Sequence, residues 1–260
     1  MINWNLDYKM IDIHTHMGPE YPIYYPEHDA DSMVAYMDEC GVELIVSAPC
    51  EDLFVTGSVR KDITTAMRTY PDRIKGYFGF NPNTGTTVQE MEKAFAENPG
   101  YVGLKFLPDY HRTNITDPSY AHALAFANER KLIVLSHTWG LSMNAEQCNS
   151  AEKIRQIVET YPDLKFIMGH SIQGQSDIAI EIAKDYENAY LDLCDTGRFN
   201  GIIEKMVAAV GAEKVLYATD APMQGYRFIQ GAVLAADITD AEKKLIFRDN
   251  ALRLLNMEDK

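Results

Sequence analysis

The stretch IDIHTH, residues 11–16, is the most informative segment of this chain for both fold and function. It is an apolar strand that ends in two histidines, His14 and His16, two residues apart. Because side chains at i and i+2 of a strand point to the same face, both imidazoles can bind one cation. Taken alone, the pair is equally compatible with two ordinary histidines at a strand end.

Three polar residues close other apolar runs of the chain. His137, His170 and Asp220 each follow an apolar run of four or five residues. Imidazoles and carboxylates are the ligands that borderline transition metals prefer in proteins. Four separate strands that end in such groups predict a single metal site.

Short apolar runs alternate with longer segments of helical period along the chain, a pattern typical of repeated βα units and a parallel sheet. Eight runs qualify as strands: residues 10–16, 43–48, 75–81, 102–107, 132–137, 165–170, 189–194 and 214–219. Residues at their ends fall 24 to 33 positions apart. This spacing predicts an α/β fold, a single (β/α)8 barrel of the TIM type over residues 1–260, with its active site at the carboxyl ends of the strands. A doubly wound open sheet is the alternative, but the first strand lacks the G-x-G-x-x-G turn of dinucleotide-binding folds.

Sequence signals for the starts and ends of helices agree with the predicted barrel. Asp117 before Pro118 is typical of a helix start, and Gly41 stands where a helix would stop. The tetrapeptide Thr-Tyr-Pro-Asp occurs at 69–72 and again at 160–163, before the third and sixth strands. Since proline cannot continue a helix, both copies are expected to return the chain to the barrel.

Composition narrows the class of partner. The chain has 38 acidic against 24 basic residues and a net charge of −14, which disfavours binding to nucleic acid or to an anionic membrane. The N-terminal residues do not resemble a secretion signal, and the four cysteines have neither C-x-x-C spacing nor disulfide density. We therefore expect a cytoplasmic protein with reduced cysteines and a small-molecule substrate, and a homo-oligomer is compatible with the sequence.

The site residues also resemble those of the metal-dependent amidohydrolase superfamily. The similarity is to the branch called amidohydrolase family 2, which also contains metal-dependent decarboxylases. The matching pieces span residues 10 to 255 in family order: IDIHTH at 11–16, Gly103-Leu104-Lys105, His137, Gly169-His170, Ala218-Thr219-Asp220-Ala221-Pro222 and Asn250-Ala251-Leu252-Arg253-Leu254-Leu255.

The resemblance implies one divalent ion, held by His14, His16, His137 and Asp220. Zn²⁺ is the expected ion and Mn²⁺ the alternative. The resemblance also implies that His170 lies beside the ion as a polarising or acid/base group. Chemistry agrees, because neutral imidazoles with one carboxylate suit Zn²⁺, which activates water for attack on an sp2 carbon. Asp220 would then accept and transfer a proton, while His170 stabilises negative charge on the substrate.

Lys105 leaves the metal count open. In binuclear members of the superfamily a lysine on the fourth strand is carboxylated and bridges two metals, and Lys105 lies on the predicted fourth strand. We favour an uncarboxylated lysine that pairs with acidic neighbours or binds substrate. A second metal is expected only if Lys105 is carboxylated.

Substrate choice is expected to reside in three loops at the active end of the barrel. They comprise residues 17–28, 108–114 and 139–149. His111, Trp139 and Tyr25 are the candidate substrate contacts, because they combine a flat ring with a polar tip.

The leading functional hypothesis is a metal-dependent hydrolase that acts on a C–N or C–O bond of a small polar molecule. The alternative is a metal-dependent decarboxylase of a small carboxylic acid, with aromatic acids among the candidates; an arginine such as Arg112, Arg198 or Arg227 near the metal would favour it. A non-catalytic binding protein is the third hypothesis. The intact set of five metal-site residues argues against it.

Overall fold

The computed structural model describes residues 6–18, 27–50, 61–139 and 148–258. Eight parallel strands form one sheet in the order β1 to β8, with each strand paired to the next along the chain. The strands are β1 Met10–Met17, β2 Val42–Pro49, β3 Ile74–Phe80, β4 Tyr101–Phe106, β5 Ile133–Trp139, β6 Lys165–Gln173, β7 Ala189–Asp192 and β8 Val215–Leu216. The (β/α)8 barrel predicted from the sequence is confirmed.

Backbone hydrogen bonds bring the last strand back to the first. Ile13 N–H donates to Tyr217 C=O, Asp220 N–H to His14 C=O, and His16 N–H to Ala221 C=O. The sheet therefore closes around the ends of β1 and β8, which places residues 14 to 16 beside residue 220.

Helices cover the outside of this sheet. Within the described ranges they are α1 Ala30–Cys40, α2 Lys61–Thr69, α3 Val88–Glu97, α4 Pro108–His111, α5 Pro118–Glu129, α6 Ala151–Thr160, α7 Ser176–Asp185, α8 Ile202–Val210, α9 Tyr226–Ala235, α10 Asp240–Lys244 and α11 Asn250–Leu255. Short 3-10 turns span Pro82–Thr84, Thr196–Arg198 and Ala212–Lys214, and a π-helical turn spans Leu245–Asp249. None of the described helices has the length and apolar character needed to cross a bilayer.

The core has two layers, one on each face of the sheet. The inner layer fills the barrel with strand residues such as Ile11, Ile13 and Leu135, and the C-terminal helix α11 adds Leu252 and Leu254 to it. The larger outer layer lies between strands and helices. Because the barrel interior is packed with side chains, a ligand can reach the strands only at their ends.

The helix ends predicted from local sequence signals agree with those of the structure. Asp117 caps α5 by accepting a hydrogen bond from Ser119 N–H, and Gly41 ends α1 with φ of 76°. Helices α2 and α6 stop at Thr69 and Thr160, directly before the repeated Tyr-Pro pair. The repeat therefore does end two helices of the barrel.

Every strand differs from its predicted bounds by one to three residues at one end or both. β6 continues to Gln173 instead of 170, β7 ends at Asp192 instead of 194, and β8 covers only Val215–Leu216 instead of 214–219. Beyond Leu216 the chain still bonds to β1, through Tyr217 C=O and Asp220 N–H, but it has left regular strand geometry. Asp220 consequently lies on a turn, with φ of 63°.

Candidate metal centre

His14, His16 and Asp220 converge where β1 meets the segment after β8. Asp220 Oδ1 lies 3.4 Å from His14 Nε2 and 3.1 Å from His16 Nε2. The two imidazole rings are 5.3 Å apart between centroids. The strand alternation predicted from the sequence therefore does bring both histidines to one face.

His170 joins them from β6 in an uncommon backbone conformation. His170, Ser171 and Ile172 all have left-handed backbone angles, with φ of 65°, 46° and 47°. Such angles are disfavoured for residues other than glycine, above all for a β-branched one, so the surroundings must hold them in place. The His170 ring lies 5.4 Å from that of His14.

His137 completes the set from β5. Its ring centroid is 4.8 Å from that of His170, and its Nδ1 is 3.9 Å from Asp109 Oδ2. Asp109 is fixed in turn, because it accepts hydrogen bonds from Cys148 N–H and from the Asn149 amide. The loops after β4 and β5 thus meet over His137.

Asp192, at the end of β7, orients two of these histidines and was not singled out from the sequence. Its Oδ2 lies 2.7 Å from His14 Nδ1, and its Oδ1 accepts a hydrogen bond of 2.7 Å from His170 N–H. With Nδ1 bonded to a carboxylate, His14 presents Nε2 to the centre. Metal-binding histidines commonly use a carboxylate in this way.

Asp12 is a second buried carboxyl group that the sequence did not identify as part of the site. It accepts hydrogen bonds from His14 N–H, Thr219 N–H and the Thr219 hydroxyl. These bonds tie β1 to the residue before Asp220. The strand pattern Asp-x-His-x-His was the available signal.

Lys105 reaches the same centre from β4. The side chain is buried, at 1% exposure, and Nζ lies 2.7 Å from His14 Nε2. A lysine is almost never fully buried without a partner, so this position points to a charge partner. Burial lowers the pKa of Lys105, while the negative charge of Asp220 opposes that change.

Cys194 lies two residues beyond β7 and is fully buried. Its Sγ is 3.0 Å from His170 Nδ1. Burial raises the pKa of this thiol well above its ordinary value. One ligand atom from each of His14, His170, Cys194 and Asp220 lies within 4.8 Å of the others.

The electrostatics favour a cation. Burial, followed by the charge of Lys105, lowers the pKa of His14 well below its usual range, and burial does the same for His170. Both imidazoles are therefore neutral and have lone pairs. Burial would raise the pKa of Asp220, but the hydrogen bond to His16 and the neighbouring histidines lower it well below its usual value. Neutral imidazoles and an ionised carboxylate are the donor set that binds Zn²⁺ or Mn²⁺, so the residues fit a divalent ion.

The predicted substrate residues are only partly described. His111 is half-buried at the end of α4, whereas Tyr25 and the side chain of Trp139 lie outside the described residues. Tyr110, which was not predicted, is 52% exposed and packs its ring edge-on against His137, 5.1 Å away. It therefore covers one side of the centre.

The arginines considered as carboxylate partners bind elsewhere or face solvent. Arg198 pairs with Asp195 at 2.8 Å, and Arg227 donates to Glu39 C=O. Arg112 is exposed. Among the described side chains, Lys105 is the cation buried at the centre.

Comparison with solved structures gives the same fold at low identity. The chain is similar to 5-carboxyvanillate decarboxylase from Novosphingobium aromaticivorans DSM 12444, solved with manganese and 4-hydroxy-3-methoxy-5-nitrobenzoic acid (TM-score 0.75, 13% identity, 96% of both chains). It is also similar to a dihydroxybenzoic acid decarboxylase from Polaromonas sp. JS666 with bound manganese and 2-nitroresorcinol (TM-score 0.73, 16% identity, 96% of this chain and 97% of that one). A third match is a putative amidohydrolase from Staphylococcus aureus (TM-score 0.74, 15% identity, 95% and 99%).

Sequence comparison assigns the family. A search of curated proteins gave no match. The family model described as amidohydrolase matches residues 11–257, which is nearly the whole chain. This protein therefore belongs to the amidohydrolase family.

Proposed function

We propose that this protein is a divalent-metal-dependent decarboxylase of a small carboxylic acid, with an aromatic acid as the favoured substrate class. This reverses the order of the two hypotheses drawn from the sequence. The observation that carries the proposal is the buried Lys105 ammonium, 2.7 Å from His14 Nε2 at the centre of the donor set. The decarboxylases of aromatic acids with the same fold support it.

Charge balance explains why a carboxylate fits this site. A divalent ion and the Lys105 ammonium together bring three positive charges, one more than the carboxylates of Asp220 and Asp192 can neutralise. Uncompensated charge in a buried site is costly, so an anionic ligand between the two cations is favoured. A substrate carboxylate, or a phenolate next to it, supplies that anion.

In this proposal the residues of the centre have distinct roles. His14, His16, His137 and Asp220 would hold the ion, which supplies positive charge that binds and polarises substrate oxygens when it is present. Lys105 would orient the substrate through its carboxylate or phenolate.

Loss of carbon dioxide leaves an electron pair on the substrate carbon, and that carbon must then take a proton. His170 and Asp220 lie at the centre and could take up a proton from solvent and pass it to this carbon. The proton comes ultimately from solvent, so the overall change replaces a carboxylate with hydrogen.

A hydrolase remains the second candidate because of one specific observation. Burial lowers the pKa of Lys105 and so favours the neutral amine, which is the form that can be carboxylated. A carboxylated Lys105 would allow the binuclear arrangement found in other members of the superfamily. Asp220, held ionised, could then accept a proton from water.

A substrate screen with two separate product assays distinguishes these functions. Protein loaded with Zn²⁺ or Mn²⁺ is incubated with carboxyl-¹³C-labelled aromatic and aliphatic acids, and labelled carbon dioxide is measured by mass spectrometry. A parallel panel of amides, esters and lactones is assayed for released amine or alcohol. Labelled carbon dioxide from at least one acid supports the proposal, while turnover confined to the second panel refutes it.

Lys105→Met gives the matching test of the role of the ammonium. Loss of the Lys105 ammonium should lower kcat/KM for decarboxylation by about 100-fold, which is the scale for removing one partner of a buried charge pair. Lys165→Met is the control, because Lys165 donates to Leu254 C=O at the opposite end of the barrel. Bicarbonate that raises both metal content and activity of the wild type, but not of Lys105→Met, would instead support the carboxylated form.

A further inference from the structure

Cys194 lies inside the donor cluster, although a ligand set of histidines and aspartate does not require it. Its Sγ is 3.0 Å from His170 Nδ1, and its side chain is fully buried beneath the carboxyl ends of the strands. The other cysteines share this burial, but Cys40 ends α1 at the opposite end of the barrel. Among the described cysteines, Cys194 is the one that belongs to the cluster with His14, His170 and Asp220.

The spacing of the cluster matches that of ligands on one ion. Two ligands of a tetrahedral zinc ion lie about 3.5 Å apart, given Zn–S of about 2.3 Å and Zn–N of about 2.0 Å. The separation of Cys194 Sγ and His170 Nδ1 is 3.0 Å, and that of His14 Nε2 and Asp220 Oδ1 is 3.4 Å. All four donors lie within 4.8 Å of one another.

We propose that Cys194 is a thiolate ligand of the bound ion and makes this centre selective for Zn²⁺ or Co²⁺ over Mn²⁺. The inference rests on the metal-binding part of the proposed function and concerns which ion is held. On binding, the S–H bond breaks, a metal–sulfur bond forms and the proton passes to solvent.

Ligand chemistry gives the direction of this selectivity. Thiolate is a soft ligand that favours zinc, whereas Mn²⁺ prefers carboxylate, carbonyl and water oxygens. A sulfur ligand would therefore separate this chain from the manganese-containing decarboxylases of the same fold. With Cys194 as thiolate and Asp220 as carboxylate, these two ligands neutralise the charge of a divalent ion.

Cobalt substitution of the full-length protein tests the proposal without any substrate. Visible d–d bands report that Co²⁺ is bound whatever its ligands, whereas a near-ultraviolet charge-transfer band reports a cobalt–thiolate bond. We expect both signals in the wild type. Cys194→Ser should keep the d–d bands and lose the charge-transfer band.

Two cysteine controls make the assignment specific. Cys40→Ser changes a buried cysteine at the far end of the barrel, and Cys50→Ser changes one directly after β2. Both should retain the charge-transfer band. A band that persists in Cys194→Ser, or disappears in Cys50→Ser, overturns the assignment.

Metal competition supplies a second measurement. The preference of the wild type for Zn²⁺ over Mn²⁺ should fall by about 10-fold or more in Cys194→Ser, a scale typical of changes around a metal site. An unchanged preference contradicts the inference.

X-ray absorption of the zinc-loaded wild type needs no variant and therefore remains decisive if Cys194→Ser does not fold. It should show a sulfur neighbour at about 2.3 Å. Bound metal with only nitrogen and oxygen neighbours would remove Cys194 from the site and leave the proposed metal centre intact. Failure to bind any divalent ion would overturn that centre as well.

Discussion

The carboxylate of Asp192 lies 2.7 Å from Nδ1 of His14, so the other nitrogen of that ring faces the centre of the barrel. Asp192→Asn should reverse this arrangement. The asparagine oxygen can still accept from His170 N–H, but its amide then donates to His14 Nδ1 and moves the ring proton to Nε2. We expect the affinity for Zn²⁺ to fall by about 10- to 100-fold.

Chelator competition measures this affinity. Asp195→Asn is the control, because Asp195 is a buried aspartate nearby that pairs with Arg198 instead of a histidine. Equal affinity in Asp192→Asn and wild type would mean that the carboxylate does not set the tautomer of His14.

Asp220→Asn should impair turnover even when the site is saturated with metal. Asparagine keeps the size of the side chain and tolerates the left-handed backbone, with φ of 63°, but it cannot accept or deliver a proton. We expect kcat to fall by about 100-fold or more. The measurement is steady-state turnover at increasing metal concentration with whichever substrate the screen identifies.

Recovery of full activity at high metal would assign Asp220 to metal binding alone. Asp195→Asn again serves for comparison, since Asp195 also has a positive φ, of 57°. Its turnover should remain within a few-fold of the wild type.

Tyr110→Ala should weaken substrate binding without affecting the metal. The Tyr110 ring stands 5.1 Å from that of His137 and is 52% exposed, so it forms a wall of the centre. Removing it should raise KM by about 10-fold, the scale of one lost aromatic contact.

Phe228→Ala is the matched control for an exposed aromatic residue, since Phe228 is 48% exposed on α9. Kinetic constants and metal content are measured on the same preparations. An unaltered KM in Tyr110→Ala would exclude this residue from the substrate pocket. We also expect Trp139→Ala to alter KM or substrate preference while metal content stays unchanged.

Asp12 should make stability depend on pH. Burial raises the pKa of Asp12 from 3.8 to about 7, in spite of the hydrogen bonds it accepts from Thr219 and His14. Below pH 4 the group is protonated in the folded and unfolded chain alike. Between pH 4 and 7 the unfolded chain loses this proton first, so the free energy of unfolding falls as pH rises, by about 4 kcal/mol at most.

Asp12→Asn should remove this part of the pH dependence, because asparagine has no proton to lose. Denaturant unfolding at several pH values from 4 to 8 measures the difference between variant and wild type. The stability of the variant relative to the wild type should increase up to about pH 7 and then level off. A difference that is constant over the whole range would contradict the raised pKa.

Much of the fold could be predicted because its signals are local. The apolar runs mark the strands, and Gly41 and Asp117 mark helix ends through backbone conformation and side-chain capping that need no distant partner. The strand-end histidines were recognised for the same reason, since alternation along β1 is enough to place His14 and His16 on one face.

Contacts between distant parts of the chain were not predictable. Asp192 binds His14 across 178 residues, and this pairing exists only once the barrel has closed. The predicted β7 extended to Cys194, which made Cys194 appear to be the strand end and hid the role of Asp192. The contact between Lys105 and His14 likewise depends on how far the lysine side chain reaches into the barrel.

The turn that presents His170 also bears on how this protein can be engineered. A left-handed backbone angle costs roughly 1–2 kcal/mol for each residue with a side chain. The total for residues 170–172 is therefore a sizeable part of the free energy of unfolding of a domain, which is roughly 5–15 kcal/mol. Three hydrogen bonds hold the turn in place: His170 N–H donates to Asp192 Oδ1, Ile172 N–H donates to Thr138 Oγ1, and the Thr196 hydroxyl donates to His170 C=O. A laboratory selection for heat resistance would favour substitutions that relax this turn. Each such substitution would displace His170. Thermostable forms that keep their chemistry are therefore to be sought in the helices around the barrel.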